Sequence, residues 1–176
     1  DYENNKFTPE SHHRMSWNDK AYFAPEALID DKGRQIMWAW IFDDRPDSIK
    51  KYMGWTGTYG LPRSLWLGND GKLKIRPIKE MESLRMNEIV VKDLNVNSGN
   101  EIKLSKLGRE LMELEVVIQP NNAQKYGVKV NVSEDGTEET IIYYDDLDKK
   151  LKFDTRKSGL KFGRKIIDEA PFELKP

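Results

Sequence analysis

The stretch that decides the fold is residues 27–42, which read ALIDDKGRQIMWAWIF. Apolar residues dominate 27–29 and again 35–42, and the polar, glycine-containing segment 30–33 separates the two runs. Two apolar runs joined by a short polar loop with a glycine predict a β-hairpin. Both alternating positions of the second run are apolar, so that strand is predicted to be covered on both faces of its sheet.

Similar patterns predict strands along most of the chain. A second hairpin is predicted at residues 63–75 around Gly68-Asn69-Asp70-Gly71, and Pro77 ends it because proline cannot donate to a ladder. From about Met86 onwards, apolar and polar residues alternate in short runs: Met112, Leu114, Val116 and Ile118, then Val128, Val130 and Val132, then residues 141–144 and 151–153. Short strands with one polar face are typical of an antiparallel β-sandwich, so the fold class is predicted to be all-β.

One short stretch between these regions has helical rather than strand spacing. Its apolar residues are placed for a single helical face: Ile78, Met81 and Leu84. We interpret it as a linker turn between two β domains. The predicted organisation is a first domain at residues 1–77, a linker at 78–85 and a second domain at 86–176.

Composition excludes several classes of function. Lys and Arg number 29 against 30 Asp and Glu, which gives a formal net charge of −1. That balance provides no basic field for nucleic acid or for an anionic membrane, so neither is expected as a partner. No apolar run approaches the roughly 18 residues of a membrane span. The absence of cysteine excludes disulfides, thiolate metal sites and a cysteine nucleophile.

Tryptophan is distributed very unevenly. All five tryptophans fall within the first 66 residues of 176: Trp17, Trp38, Trp40, Trp55 and Trp66. Tryptophan is a large amphipathic ring that suits places where an apolar face must keep a polar edge in water. The first region is therefore the one predicted to touch a ligand, and the flat CH faces of sugars are natural partners. Packing in a core is the commoner role of any single tryptophan, and both roles stay open.

Candidate catalytic and metal-binding residues are few. His12 and His13 are adjacent, so they cannot share one face of a strand, and we interpret them as solvated. Two carboxylate pairs are likewise interpreted as solvated charges of a loop and a linker: Asp43 with Asp44, and Glu80 with Glu82. The residues therefore predict no metal site and no cofactor.

Three blocks occur in the order of one known family. Residues 22–26, YFAPE, and 31–40, DKGRQIMWAW, look like the F-Y-A-P-Q…D-G-R-R-I-L-x-G-W stretch of glycoside hydrolase family 32, the fructan hydrolases and invertases. Residues 61–65, LPRSL, and 80–85, EMESLR, are similar to that family's L-P-R-E-L…E-L-E-S-L-R. Residues 153–159, FDTRKSG, resemble its L-D-R-S-x-S-G.

The resemblance implies the last part of a five-bladed β-propeller followed by a β-sandwich, incomplete at both ends. The family's retaining mechanism uses two carboxylates about 5–5.5 Å apart. Those carboxylates and a stabilising Asp belong to the motifs W-M-N-D-P-N-G, E-C and R-D-P. None of the three occurs in this sequence, and Trp17-Asn18-Asp19-Lys20 and Arg45-Pro46-Asp47 only imitate two of them. We therefore predict no catalytic residue in this segment, and the remainder of its parent enzyme is its expected partner.

The resemblance also implies a substrate and the residues that contact it. The expected substrate is a fructose-containing carbohydrate such as sucrose, levan or inulin, cleaved at its fructosyl bonds by the parent enzyme. The residues predicted to form its pocket wall are Trp17, Asp19, Glu26 and Trp40. Glu26 stands where the family usually has Gln, and Trp40 stands at the Trp of its G-W pair.

Two alternatives stay open from the sequence. The chain is an enzyme segment or a non-catalytic carbohydrate-binding β-sandwich module, because sandwiches host many unrelated functions. Its compartment is also open, since the chain begins at Asp1 without a signal peptide and contains no cysteine. A secreted or periplasmic location is favoured over a cytoplasmic one.

Overall fold

The computed structural model describes residues 3–9, 15, 22–104, 107, 111–159, 163 and 165–174. These residues form two antiparallel sheets, one of five strands and one of four. The strands of the first sheet are β1 (Tyr22–Ile29), β2 (Gln35–Ile41), β3 (Thr58–Tyr59), β4 (Arg63–Leu67) and β5 (Leu73–Pro77). Those of the second are β6 (Lys125–Val130), β7 (Glu139–Asp145), β8 (Lys150–Lys157) and β9 (Ile167–Pro171). Helical structure in the described residues comprises α1 (Asp47–Met53) and a 3₁₀ helix (Lys79–Leu84), with one isolated 3₁₀ position at Leu107.

The first sheet consists mainly of the two predicted hairpins. β1 pairs antiparallel with β2, and β4 pairs antiparallel with β5. Their order in the sheet is β1-β2-β4-β5, and β3 lies against β2 as well. In the first turn, the Asp30 carboxylate accepts hydrogen bonds from the backbone N–H groups of Lys32 at 3.1 Å and Arg34 at 2.8 Å. Both hairpin predictions are confirmed.

β2 is covered along only part of its length. Ile36 and Met37, which pair with β4, are buried, and so is Ala39. Trp40 is 50% exposed and lies beyond residues 35–37, the part of β2 that pairs with β4; at that end β2 pairs with the two-residue β3. The prediction that both faces of this strand are covered is therefore wrong at its end, where Trp40 and Ile41 are exposed.

The 3₁₀ helix lies where the sequence predicts a helical turn, and it is tied to the first hairpin. The Glu80 carboxylate accepts hydrogen bonds from Arg34 at 2.8 and 3.0 Å and from Lys32 at 3.0 Å. Arg34 also donates to Asp30 at 2.8 Å. The hydrogen bonds from Arg34 are the main reason why the pKa of Glu80 falls from 4.5 to about 2. The Glu80 side chain is 46% exposed, so it is solvated as interpreted, and in addition it is ion-paired with Arg34 and Lys32.

This ion-pair cluster predicts a pH-dependent contribution to stability. A carboxyl group whose pKa is lowered by folding stabilises the fold above its unfolded pKa, and the contribution is lost as the pH falls towards the folded value. Glu80→Gln is therefore expected to lower the melting temperature above about pH 5 and to have little effect near pH 2. Thermal unfolding followed by circular dichroism between these pH values checks this expectation.

The matched control for this prediction is Glu82→Gln on the same 3₁₀ helix. The Glu82 carboxylate lies 3.8 Å from Arg85, beyond hydrogen-bonding distance. Its replacement is expected to change the melting temperature little at any pH, because exposed ion pairs of this kind contribute little to stability. Equal pH profiles for the two variants would contradict the role assigned to Glu80.

The second sheet, in the order β6-β7-β8-β9, has one charged face and one aromatic face. On the charged face, the nearly buried Asp145 carboxylate lies 3.0 Å from Lys152 and 3.2 Å from Lys125. The hydrogen bond from Lys152 is the main cause that lowers the pKa of Asp145. On the other face, the Tyr144 ring packs against Tyr126 with centroids 5.6 Å apart. The strands predicted at residues 141–144 and 151–153 are confirmed.

The segment between the two sheets differs from the prediction. Residues 111–119 belong to no strand, although the alternation of apolar residues at 112, 114, 116 and 118 predicts one. Those four side chains are 40–46% exposed. Alternation determines which way side chains point, but a strand also needs a neighbour for its backbone N–H and C=O groups. No such neighbour is found among the described residues.

Candidate functional site

Four aromatic side chains meet on the exposed end of the first sheet, and we call Phe23, Trp40, Phe42 and Tyr59 the aromatic patch. The Trp40 ring lies edge-on to Phe23, with centroids 6.0 Å apart, and perpendicular to Tyr59, with centroids 6.2 Å apart. The Phe42 ring lies 6.3 Å from Phe23. Such tilted arrangements suit the charge distribution of aromatic rings. Each ring is 40–68% exposed, so the patch presents apolar faces to solvent.

Strand register brings these rings together from separate parts of the chain. Phe23 lies directly opposite Trp40 in the β1–β2 pair, and Tyr59 lies directly opposite Trp40 in the β2–β3 pair. Residues that oppose each other across an antiparallel pair share a face of the sheet. Phe42 follows the end of β2, and its ring joins the patch through its contact with Phe23.

Glu26, one of the predicted pocket residues, stands on the same face as the patch. It is exposed and lies opposite Trp38, which shares its face with Trp40. The β1–β2 register shifts between Phe23 and Glu26. Pro25 lies within this irregularity, and such breaks accommodate a proline because it has no N–H to offer the ladder. The structure thus brings Glu26 and Trp40 to one side of the sheet.

The other two predicted residues, Trp17 and Asp19, lie outside the described residues, so their role stays a prediction. Sequence reasoning did not single out Phe42 or Tyr59. The only signal for Phe42 is its spacing from Trp40. Tyr59 carries no such signal, because its place depends on how the preceding loop returns to the sheet.

Residues 43–57, which we call the rim loop, leave the sheet just beyond the aromatic patch and return beside it. The Asp43 carboxylate accepts hydrogen bonds from Arg45 through Nε at 2.8 Å, Nη2 at 2.7 Å and the backbone N–H at 3.1 Å. It also accepts one from the backbone N–H of Gly57 at 3.3 Å, at the other end of the loop. The Asp43 side chain is 7% exposed, so the interpretation of Asp43 as a solvated charge is wrong.

A cation–π contact links two parts of the rim loop. The Arg45 guanidinium lies 4.0 Å from the centre of the Trp55 ring, an attraction that arises from the negative face of the indole. α1 occupies the middle of the loop and ends at Gly54, whose φ of 76° is a left-handed conformation that favours glycine. The hydrogen bonds from Arg45 hold the pKa of Asp43 well below its ordinary range, so the carboxylate stays ionised.

The described residues show neither a cluster of metal-binding side chains nor a membrane-spanning helix. No group of three His, Cys, Asp or Glu side chains able to hold a metal occurs among the described residues. No helix in the described part of the chain is long and apolar enough to cross a membrane. The patch presents aromatic faces to solvent, and the Glu26 carboxylate, a hydrogen-bond acceptor, stands on the same face of the sheet.

Two family models match the chain and together cover almost all of it. The model "Glycosyl hydrolases family 32 N-terminal domain" matches residues 1–77, and "Glycosyl hydrolases family 32 C terminal" matches residues 80–176. The chain belongs to glycosyl hydrolase family 32. The resemblance carried by the sequence blocks is therefore confirmed.

Curated relatives match about half of the chain. The β-fructofuranosidase insoluble isoenzyme 4 of Oryza sativa subsp. japonica is 36% identical over 101 residues, which are 55% of this chain and 16% of that protein. The fructan 1-exohydrolase of Aegilops tauschii is 32% identical over 102 residues, 56% of this chain and 17% of that protein. The chain thus matches only a small part of the length of these relatives.

Solved family 32 structures share the fold of the chain. Fructan 1-exohydrolase IIa from Cichorium intybus, in complex with 1-kestose, superposes with a TM-score of 0.67 at 21% identity, over 90% of this chain and 36% of that one. The Bombyx mori β-fructofuranosidase superposes with a TM-score of 0.63 at 16% identity, over 98% of this chain and 33% of that one. The prediction of an all-β fold, part propeller and part sandwich, is confirmed.

Proposed function

We propose that this chain is a segment of an enzyme that hydrolyses fructosyl bonds in sucrose, levan or inulin. The observation that carries the proposal is that the N-terminal and C-terminal models of family 32 match the chain consecutively, in that order. Relatives described as β-fructofuranosidase and fructan 1-exohydrolase support the same class of substrate.

Within that enzyme, the segment contributes pocket wall and scaffold, while the catalytic carboxylates belong to the remainder of the protein. A retaining glycosidase needs a nucleophile and an acid/base on either side of the scissile bond. The three motifs that hold the family's carboxylates are absent from these 176 residues. The matched relatives extend far beyond the matched part, which leaves room for those motifs elsewhere in the whole enzyme.

The domain boundary is proposed to fall at residues 78–85. The two sheets share no strand in the described residues, and the 3₁₀ helix follows the last strand of the first sheet directly. On this proposal, residues 1–77 carry the pocket wall and residues 86–176 are scaffold. In the second sheet, Asp145 is ion-paired with Lys152 on one face and Tyr144 packs against Tyr126 on the other. These contacts within the sheet support a structural role for residues 86–176.

The proposed sugar-contacting residues are Trp40 and Glu26, together with Trp17 and Asp19. Trp40 is half-exposed at the end of a strand, where rigid structure passes into a loop, and binding residues concentrate at such positions. Its neighbours in the patch enlarge the apolar surface. Glu26, on the same face, supplies an acceptor for hydroxyl groups.

The test is the activity of the full-length protein that contains this segment. It is expected to release fructose from sucrose, inulin or levan, and to release no sugar from maltose or cellobiose, which have no fructosyl group. Reducing-sugar release, with the products separated by chromatography, measures both outcomes. Hydrolysis of maltose or cellobiose in preference to all three fructosyl substrates would refute the proposed substrate class.

A further inference from the structure

The pairing that holds Tyr59 against Trp40 is very short. β3 contributes only two residue pairs to β2, Tyr59 opposite Trp40 and Thr58 opposite Ile41. On one side the pairing is extended by the backbone N–H of Gly60, which donates to the carbonyl of Ala39 at 2.8 Å. A two-residue strand is well below the usual length of strands. Two backbone pairs are therefore a weak anchor for Tyr59.

On the other side, the Asp43 carboxylate takes the place of the missing backbone pairs. Gly57 precedes β3 directly, and its N–H donates to Asp43 rather than to a strand carbonyl. Gly57 has a φ of 70°, a left-handed conformation that turns the chain out of the ladder here. The two β2–β3 residue pairs are therefore flanked by two hydrogen bonds: Gly60 N–H donates to the Ala39 carbonyl on one side, and Gly57 N–H donates to the Asp43 carboxylate on the other.

The carboxylate is itself held rigidly. Three N–H groups of Arg45 donate to Asp43, and the Arg45 guanidinium rests on Trp55, which lies two residues before Gly57. Charge-assisted, two-pronged bonds of this kind are geometrically specific as well as strong. The depressed pKa of Asp43 agrees with a carboxylate that is stabilised in its ionised form.

We propose that Asp43 is a positioning residue that holds Tyr59 against Trp40 and thereby sets the shape of the sugar-binding wall. Asp43 acts through β3, and it is not itself assigned a contact with substrate. This inference rests on the proposed function for its kinetic consequence. Its structural consequence, the anchoring of β3 by a side chain, does not depend on that function.

The structural test compares Asp43→Asn with Asp47→Asn, a matched control on the same rim loop. In Asp43→Asn one acceptor oxygen is replaced by an N–H₂ donor that faces the N–H groups of Arg45 or Gly57, so the fork cannot form. Asp47 is exposed and pairs only with Lys50, at 3.3 Å, in the described structure. Amide hydrogen exchange of the peptide covering residues 57–60 is measured in both variants and in the wild type.

Asp43→Asn is expected to raise the exchange rate at residues 57–60 by about 10-fold, the size of effect expected from a lost hydrogen bond to a charged group. Asp47→Asn is expected to leave that rate within about 2-fold of the wild type, as is usual for exposed ion pairs. Wild-type exchange in Asp43→Asn, or an equal rise in both variants, would overturn the anchoring of β3 by Asp43.

The kinetic test uses the full-length enzyme with a fructosyl substrate. Asp43→Asn is expected to raise KM by about 10-fold with little change in kcat, because it loosens a binding wall and leaves the reacting groups untouched. Faster exchange with an unchanged KM would refute the role in sugar binding while retaining the anchor. A wild-type enzyme without fructosyl hydrolase activity would instead refute the proposed function, with the exchange result standing by itself.

A second variant keeps the proposal testable if Asp43→Asn does not fold. Arg45→Gln removes the ion pair but leaves both oxygens of Asp43 available to the N–H of Gly57. Its exchange at residues 57–60 is expected to rise less than about 3-fold, since the bond that closes the ladder remains. A rise of 10-fold or more in Arg45→Gln would assign the anchoring to Arg45 and overturn the role of Asp43.

Discussion

Residues 1–176, purified by themselves, are expected to release no fructose from sucrose, levan or inulin. The reason is chemical, because retaining hydrolysis needs a nucleophile and a proton donor about 5–5.5 Å apart. The motifs that carry these groups in family 32 are absent from the sequence. Loss of catalytic groups that act as a unit typically lowers the rate by about 10⁴-fold or more. Fructose release is measured with the full-length protein as the positive control.

The comparison needs a folded segment, which far-ultraviolet circular dichroism checks through its β content. An empty-vector preparation gives the background, and release of fructose above it by the isolated segment would refute the prediction. Binding of the isolated segment to insoluble levan or inulin is a separate measurement. Strong binding there, together with an inactive full-length protein, would favour a non-catalytic carbohydrate-binding module.

The hairpin at residues 27–42 was predictable because everything that specifies it is local. Two apolar runs define the strands, and the turn is built by Asp30, whose carboxylate bonds to N–H groups two and four residues later. The burial of the side chains along β2, by contrast, depends on distant parts of the chain. Trp40 lies in the same apolar run as Ile36, yet β4 reaches only the first end of that run. The composition of a segment therefore predicts that it forms a strand better than it predicts how far its side chains are buried.

The segment at residues 112–118 shows the opposite failure. Its alternation resembles that of β7, where Thr140, Ile142 and Tyr144 share one face. β7 becomes a strand because β6 and β8 supply hydrogen bonds on both sides. Residues 112–118 have no such neighbouring strands among the described residues. Their contact with Arg85 is made by a side chain, through an exposed ion pair with Glu113 at 2.6 Å. Periodicity carries no information about which backbone will pair with which.

The residues of the candidate site were predictable only where a family motif or a strand end marked them. Trp40 satisfies both conditions, whereas Asp43 and Tyr59 satisfy neither. An Asp-Asp pair in a polar loop looks the same whether it is solvated or clamped. The difference depends on Gly57, 14 residues further along, and on the conformation of the whole rim loop. A contact between residues so far apart in the chain depends on the tertiary structure.

Replacement of Trp40 by alanine in the full-length enzyme is expected to weaken fructosyl binding by about 1–3 kcal/mol, judged from the net value of apolar burial and good polar contacts. That range corresponds to a roughly 5- to 150-fold rise in the dissociation constant. The physical reason is the position of the ring at the centre of the aromatic patch, with Phe23 on one side and Tyr59 on the other. Titration calorimetry with a fructosyl ligand, or KM where substrate binding equilibrates, measures the change.

The control for this prediction is Trp66→Ala in the same sheet. Trp66 is 42% exposed, and the guanidinium of Arg76 lies 5.2 Å from its ring. Each substitution removes one exposed indole ring from a strand of the first sheet. Trp66 belongs to β4 and is not part of the aromatic patch. Trp66→Ala is expected to leave binding within about 2-fold, as for surface changes away from a site. Trp40→Phe keeps a ring and should lie between the wild type and Trp40→Ala. Wild-type binding in Trp40→Ala at an unchanged melting temperature would assign Trp40 to packing alone, and the sugar would then have to be held by other residues.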